Sequence, residues 1–208
     1  FTIYDTDDSK RVIKDILKEL NLDEKTFQPK SVLSVISSAK DKYESPEVFA
    51  AKHNNEMDWK MARIAKIYAK YALKLRSANA LDFDDIIFLT VKLLQENEEV
   101  RTYYQRKFRY VLVDEYQDTN HLQYLLTSLL AGGYENICVV GDDDQSIYRF
   151  RGATVENILN FDKTYPEATV VKLEQNYRST ENILAAANAI IHNNNVRHDK
   201  KLWCDRGE

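Results

Sequence analysis

Apolar side chains recur at three- and four-residue spacing through the first hundred positions of the chain. Val12, Ile13, Ile16, Leu17 and Leu20 form one stripe, and Val32, Leu33, Val35 and Ile36 form a second after Pro29. Met57, Met61, Ile64, Ala65, Tyr68, Tyr71, Ala72 and Leu75 mark a long third stripe, and Phe83, Ile86, Ile87, Thr90, Leu93 and Leu94 a fourth. This is the period of amphipathic helices. Asp7 to Ser9, Ser45 ahead of Pro46, and Asp82 supply the side chains that cap helix starts. Near residue 109 the period changes. Tyr110–Val113, Ile137–Val140 and Thr169–Leu173 are short apolar runs of strand type, separated by helical patterns at about 120–130 and 155–161. Strands alternating with helices predict a parallel sheet. Ser179 is predicted to cap a last helix through Ile183, Leu184, Ala187 and Ile190, and the polar segment from Asn193 to Glu208 to end in a loop or edge strand.

Composition narrows this picture without redirecting it. At 208 residues, 44% hydrophobic and 30% charged, the chain can bury a core of one domain or two small ones. No apolar run reaches the 18 or so residues of a membrane span, and the first ten residues do not form a signal peptide. The two cysteines, Cys138 and Cys204, have neither zinc-ligand nor disulfide-framework spacing, so a cytoplasmic protein is expected. The net charge of −4 is uneven. Residues 1–76 carry 15 Lys and Arg against 12 Asp and Glu, whereas residues 77–208 carry 14 against 21. An acidic second part suits a bound cation, and the small basic excess of the first is ordinary surface charge.

The candidate chemistry lies where apolar runs stop. After Val113 come two adjacent carboxylates, Asp114 and Glu115. A parallel strand delivers its last residues to the edge where α/β proteins bind ligands. Mg²⁺ on a nucleotide takes one or two carboxylates there. A solvated strand end and a helix N-cap remain open readings of the same residues.

The second site follows the strand at 137–140. Gly141 permits a sharp exit and Gly152 an unusual turn. Between them lie the polar cluster Asp142 to Ser146 and then Tyr148, Arg149, Phe150 and Arg151. Gln145 can orient a water or meet a phosphate oxygen. Aromatic rings interleaved with arginines suit single-stranded nucleic acid, where stacking contributes roughly 1–3 kcal/mol per base. A turn whose aromatics return to the core is the competing reading. The third site is residues 173–180, where Tyr177 and Arg178 precede a helix N-terminus, a position that favours anions.

Taken in order, VDEYQDTN, GDDDQSIYRFRGA and LEQNYRS resemble motifs II, III and IV of superfamily 1 DNA helicases of the UvrD/Rep/PcrA type. LDFDDI at 81–86 resembles a further segment of that family. The resemblance covers essentially the whole chain. It implies an α/β fold: a partial RecA-like parallel sheet with helices, plus an all-α insertion. The implied divisions are a helical subdomain at 1–96, the later part of a motor domain at 97–174, and the start of a second motor domain at 175–208. Asp114 matches the Mg²⁺-holding residue, Glu115 the general base, and Gln145 the glutamine that senses the γ-phosphate. Tyr177 matches a tyrosine that stacks on adenine, and Arg178 an arginine that reaches the γ-phosphate. Tyr148, Phe150 and Arg151 fall in the DNA-facing motif, with Phe150 standing where the family usually has Trp.

The expected activity is that of an ATP-dependent 3′-to-5′ DNA helicase in repair or replication. Its cofactors would be Mg²⁺ and ATP. Its partners would be single-stranded DNA, single-strand/duplex junctions and repair or replication proteins, in a bacterial, nucleoid-associated setting. No Gly-x-x-x-x-Gly-Lys-[Ser/Thr] phosphate loop occurs in the 208 residues. The chain is therefore expected to be part of a longer helicase and, by itself, to bind neither ATP nor Mg²⁺ and to be inactive. The alternative is a non-catalytic helical module with a degenerate ATPase half that binds DNA or protein.

Overall fold

The structure, a computed structural model, describes residues 1–54, 58–148, 152–193 and 200–205. Its contacts divide the chain into two compact units, one of residues 1–111 and 120–137 and one of residues 112–119 and 138–205. The fold is mixed and helix-rich, with small parallel sheets.

In the first unit, β1 (Thr2–Ile3) pairs in parallel with β2 (Ala80–Leu81), Thr2 opposite Ala80 and Ile3 opposite Leu81. Between them run α1 (Thr6–Glu19), α2 (Pro29–Asp41), α3 (Pro46–Lys52) and α4 (Trp59–Ser77). Their apolar stripes meet in one core built from Ile13, Ile16, Leu17, Val32, Ile36, Ile64, Ile67, Tyr68 and Tyr71. Each such side chain contributes about 1.5–3 kcal/mol on burial. Ser45 caps α3 as its sequence predicts, accepting from the Val48 amide. The cap of α1 is Asp5, which accepts from the Asp7 and Asp8 amides, rather than a residue of 7–9. Met57 of the third stripe lies outside the described residues.

Then follow α5 (Phe83–Glu96), α6 (Glu98–Lys107) and α7 (His121–Ala131). Phe88 and Val91 of α5 pack on Leu122 of α7, with Tyr43, Leu125, Leu126 and Leu129 around them. Periodicity did not reveal α6, because none of its residues is buried. Asn97 starts it, accepting from the Val100 amide, a signal that polarity alone conceals.

A buried polar network ties β2 and α5 to this core. Lys40 is only 3% exposed, yet its ammonium donates to both Asp82 carboxylate oxygens (2.8 and 2.7 Å) and meets Asp85 Oδ1 at 2.7 Å. Tyr71 OH donates to Asp82 Oδ2 at 2.9 Å and lies 3.0 Å from Ser9 Oγ. Asp82 also caps α5 in a reciprocal box with Asp85. Removing one partner from a buried pair leaves an uncompensated charge, which costs about 3–5 kcal/mol.

The strands β3 (Val111–Val113) and β4 (Ile137–Val139) form the second small sheet. The third predicted strand, Thr169–Leu173, is not formed. Val170, Val171 and Leu173 are exposed, and pairing begins only at Gln175, which bridges Trp203 in parallel. The predicted helix at 155–161 is split into α8 (Glu156–Leu159) and α9 (Phe161–Thr164). The last helix, α10, spans Glu181–Ile191 with Thr180 rather than Ser179 at its start, and Thr180 makes no side-chain cap. No helix among the described residues is long and apolar enough to cross a membrane.

Asp41 provides a pH test of the first unit. Burial, and then the charge of Asp84, push its carboxyl up to about 6. Its Oδ1 accepts from Asn120 Nδ2 at 2.8 Å. A raised carboxyl binds its proton more tightly folded than unfolded. The stability it gives is therefore present below the unfolded value and is lost as pH rises through about 6. At neutral pH the ionised group is a cost, which Asp41→Asn removes while keeping the acceptor for Asn120. The variant is expected to gain on the order of 1 kcal/mol at pH 7.5, discounted for the half-exposed site, and to lose most of that gain at about pH 3.5, below the unfolded value of 3.8. Melting temperatures at the two pH values check this; an equal offset at both would refute it.

Candidate functional site

The site belongs to the second unit and begins where β3 ends. Val140 N–H donates to Val113 O (2.8 Å) and Tyr116 N–H to Val140 O (3.0 Å), so the ends of β3 and β4 are held together. At this edge Glu115 adopts φ 51° and ψ 42°. The left-handed conformation costs a non-glycine residue about 1–2 kcal/mol. It turns the chain abruptly from the strand into a 3₁₀ turn at Tyr116–Asp118. Asp114 and Glu115 are both exposed, whereas Tyr116 and Gln117 are buried. Asp114 Oδ1 accepts from the Glu115 amide at 2.9 Å. Tyr116 packs edge-on against Phe161, and Thr119 holds the other end of the turn by accepting from Asn157 Nδ2 at 3.1 Å.

Gln117 links this edge to the next loop. Its side-chain Nε2 donates to Glu115 Oε2 at 2.8 Å, and its Oε1 accepts from the Asp142 backbone N–H at 3.1 Å. Asp142 in turn begins the 3₁₀ turn Asp143–Gln145, and Gln145 Nε2 donates to Asp142 Oδ2 at 2.8 Å. An unbroken path of hydrogen bonds thus runs from Glu115 through Gln117 and Asp142 to Gln145. Gly141 makes this approach possible. A Cβ there would sit 2.4 Å from Gln117 Oε1 and 2.8 Å from Ile158 Cδ1. The requirement at Gly141 is therefore space, and the unusual turn belongs to Gly152, at φ 84°.

The acidic run 142–144 has a cation of its own. Ligand oxygens of Asp142, Asp143 and Asp144 lie within 4.8 Å of one another. The Lys200 ammonium bonds Asp142, donates to Asp143 Oδ1 at 2.9 Å and lies 3.6 Å from Asp144 Oδ2. Burial alone would raise the Asp142 carboxyl, but hydrogen bonds from Lys200 and Gln145 outweigh it and hold the group below its ordinary value. Burial likewise works against the Lys200 charge, and its bonds to Asp142 and Asp143 keep its pKa above the usual lysine value. One ammonium thus offsets part of the charge of these three carboxylates. Asp114 and Glu115 are the hard-oxygen donors that suit Mg²⁺.

Of the remaining sequence-predicted residues, Tyr148 is exposed beside the loop. Phe150 and Arg151 lie outside the described residues. Tyr177 is 71% exposed, its OH donating to Gln175 Oε1 at 2.8 Å. Asn176 Oδ1 accepts from the Arg178 and Ser179 amides at 2.9 and 2.7 Å, which fixes the turn carrying Tyr177 and Arg178. Among the described residues, neither Tyr177 nor Arg178 shares a hydrogen bond with the Glu115–Gln145 path. Sequence reasoning missed Gln117 and Lys200. The only hint of Gln117 was a polar residue beside an aromatic one, directly after the acidic pair.

The structure thus presents a strand edge with an acidic doublet, linked by hydrogen bonds to a glutamine-bearing loop on the neighbouring strand. The family model of the UvrD/REP helicase N-terminal domain matches residues 1–166, and the chain belongs to that family. It is 52% identical, over its whole length, to the ATP-dependent DNA helicase PcrA of Bacillus subtilis, covering 28% of that protein. It is 50% identical over 98% of its length to PcrA of Staphylococcus aureus strain Mu50, covering 27% of it. It is 47% identical over its whole length to the ATP-dependent DNA helicase UvrD1 of Mycobacterium bovis, covering 28%. The chain therefore spans little more than a quarter of the length of these relatives.

The backbone of Glu115 makes a separate prediction. Glu115→Gly and Glu115→Ala remove the same carboxylate, but only glycine adopts φ 51° without strain. Glu115→Gly is expected to be the more stable by about 1 kcal/mol in denaturant unfolding, the reverse of the usual glycine penalty. A more stable Glu115→Ala would show that the left-handed turn does not hold.

Proposed function

We propose that these residues form part of an ATP-driven DNA helicase in which Glu115 is the general base and Asp114 holds Mg²⁺. The path from Glu115 through Gln117 and Asp142 to Gln145 carries this reading. It places the expected base and the expected phosphate sensor on one connected scaffold. The names of the relatives agree with it, each being an ATP-dependent DNA helicase.

In this reading Glu115 takes the proton of the attacking water. The water oxygen bonds to the γ-phosphorus as the bond to the β-phosphate oxygen breaks. Bound Mg²⁺ would supply charge neutralisation at the phosphates, and the rest of the catalysis is positioning. Gln145 contacts the γ-phosphate, Tyr177 stacks on adenine, and Arg178 reaches the phosphate chain. The exposure of the Tyr177 ring is what such stacking needs. Tyr148, with Phe150 and Arg151, faces single-stranded DNA. The loop from 141 onward would then carry a change at the phosphate to the bases, and 3′-to-5′ movement follows from the family resemblance. The partial RecA-like sheet and the helical insertion at 1–96 belong to the same reading. Because the 208 residues contain no phosphate loop, turnover is assigned to the intact polypeptide that carries them, and they are expected to be inactive by themselves.

Glu115→Gln in that polypeptide is the direct test. DNA-stimulated ATP hydrolysis is expected to fall by roughly 10²–10⁴-fold. Binding of Mg²⁺ and a nonhydrolysable nucleotide should persist. Hydrolysis within a fewfold of the unsubstituted protein would remove Glu115 from the chemistry.

A further inference from the structure

We infer that Gln117 is a positioning residue that sets the Glu115 carboxylate and the 141–146 loop relative to each other. This rests on the assignment of Glu115 as the base. The side chain is 1% exposed and stretched between two partners of opposite kind. Its donor end holds Glu115 Oε2 at 2.8 Å, and its acceptor end takes the Asp142 N–H at 3.1 Å. The carboxamide cannot be flipped without placing its oxygen against a carboxylate and its NH₂ against an N–H. Gly141 closes the remaining space, since any Cβ there meets Gln117 Oε1. The Gln117 carbonyl adds a third tie, accepting from Ser146 Oγ at 3.4 Å. A movement of the loop at Asp142 therefore pulls on the amide that holds Glu115, and a change at Glu115 is felt at Asp142. Exposed carboxylates are usually oriented by water. Here one Glu115 oxygen is fixed by a buried group that is itself tied to the neighbouring strand's loop.

Two substitutions separate the ends of this strut. Gln117→Glu keeps an acceptor for the Asp142 amide but loses the donor and places a second carboxylate beside Glu115. Gln117→Met keeps the volume and loses both bonds. In the intact polypeptide, kcat of DNA-stimulated ATP hydrolysis is expected to fall by about tenfold in Gln117→Met and by more in Gln117→Glu. The KM for ATP should change by less than about threefold, since neither atom of the strut is assigned to the nucleotide.

A second readout needs no nucleotide. Amide hydrogen exchange of segment 141–146 should accelerate about tenfold or more in Gln117→Met and stay near the unsubstituted rate in Gln117→Glu. An unchanged kcat together with unchanged exchange in folded Gln117→Met would overturn the inference. Equal acceleration by both variants, with unchanged kcat, would reduce Gln117 to a packing residue and also overturn it. Persistence of hydrolysis in Glu115→Gln would defeat the underlying reading of the base, whatever Gln117 does to exchange.

Discussion

An amide side chain taken out of water must find both a donor and an acceptor, because leaving either end unpaired costs about 1–3 kcal/mol. Gln117 meets that demand with a carboxylate on one side and a backbone N–H on the other. The pairing works in one orientation only, so it determines more than its own energy. It fixes which way the chain leaves β3 and how closely β4 runs into its loop. It also means that a Cβ at position 141 would press on Gln117 Oε1, 2.4 Å away. The acidic doublet, the 3₁₀ turn and the loop glutamine hold their places because one buried carboxamide has no second way to be satisfied.

The helical unit relies on the same physics with a full charge. Lys40 lies where α2 presents its apolar face, and only the paired carboxylates of Asp82 and Asp85 make that burial tolerable. Asp82 is simultaneously the cap of α5 and the neighbour of β2, which pairs with the first residues of the chain. Burial of the Tyr71 hydroxyl, followed by the charge of Asp82, raises its pKa well above the usual tyrosine value, so it remains a donor to that carboxylate. A hydrophobic replacement of similar volume could match the stability of this cluster. It would not reproduce the directional bonds that bring α2, α4 and α5 to one point.

The helices of residues 1–96 were legible because each buries one stripe, and a stripe is a local property of sequence. Lys40 was legible in principle: it falls four residues after Ile36, on the buried face, and a lysine there requires an anion. The segment Thr169–Leu173 shows the limit. Its β-branched run reads as a strand, but a strand exists only with a neighbour, and here the neighbour, Trp203, meets the chain at Gln175 instead. The start of α10 was displaced for a related reason. Asn176 accepts from the amides of Arg178 and Ser179, so the turn ahead of the helix still includes Ser179 and the helix starts one residue later. Of the candidate site, Asp114, Glu115 and Gln145 could be named from their order along the chain, whereas Gln117 could not. Its role depends on what lies across the sheet edge, and no period in the sequence encodes that.

The strain at Glu115 bears on what this edge is for. A left-handed glutamate is an expensive way to turn a chain, and glycine would do it without cost. Its persistence means that the carboxylate is worth more than the backbone energy, or that the surrounding bonds impose the turn. Both apply here. The amides of Tyr116 and Asp118 are committed, one to Val140 O and one to Glu115 O. Gln117 then draws the glutamate side chain back toward the loop. The carboxylate at the end of the strand is thus oriented by Gln117, which the neighbouring strand's loop holds in turn. If Glu115 is the base proposed above, the cost of orienting it toward a reacting water is carried by the fold before any substrate arrives.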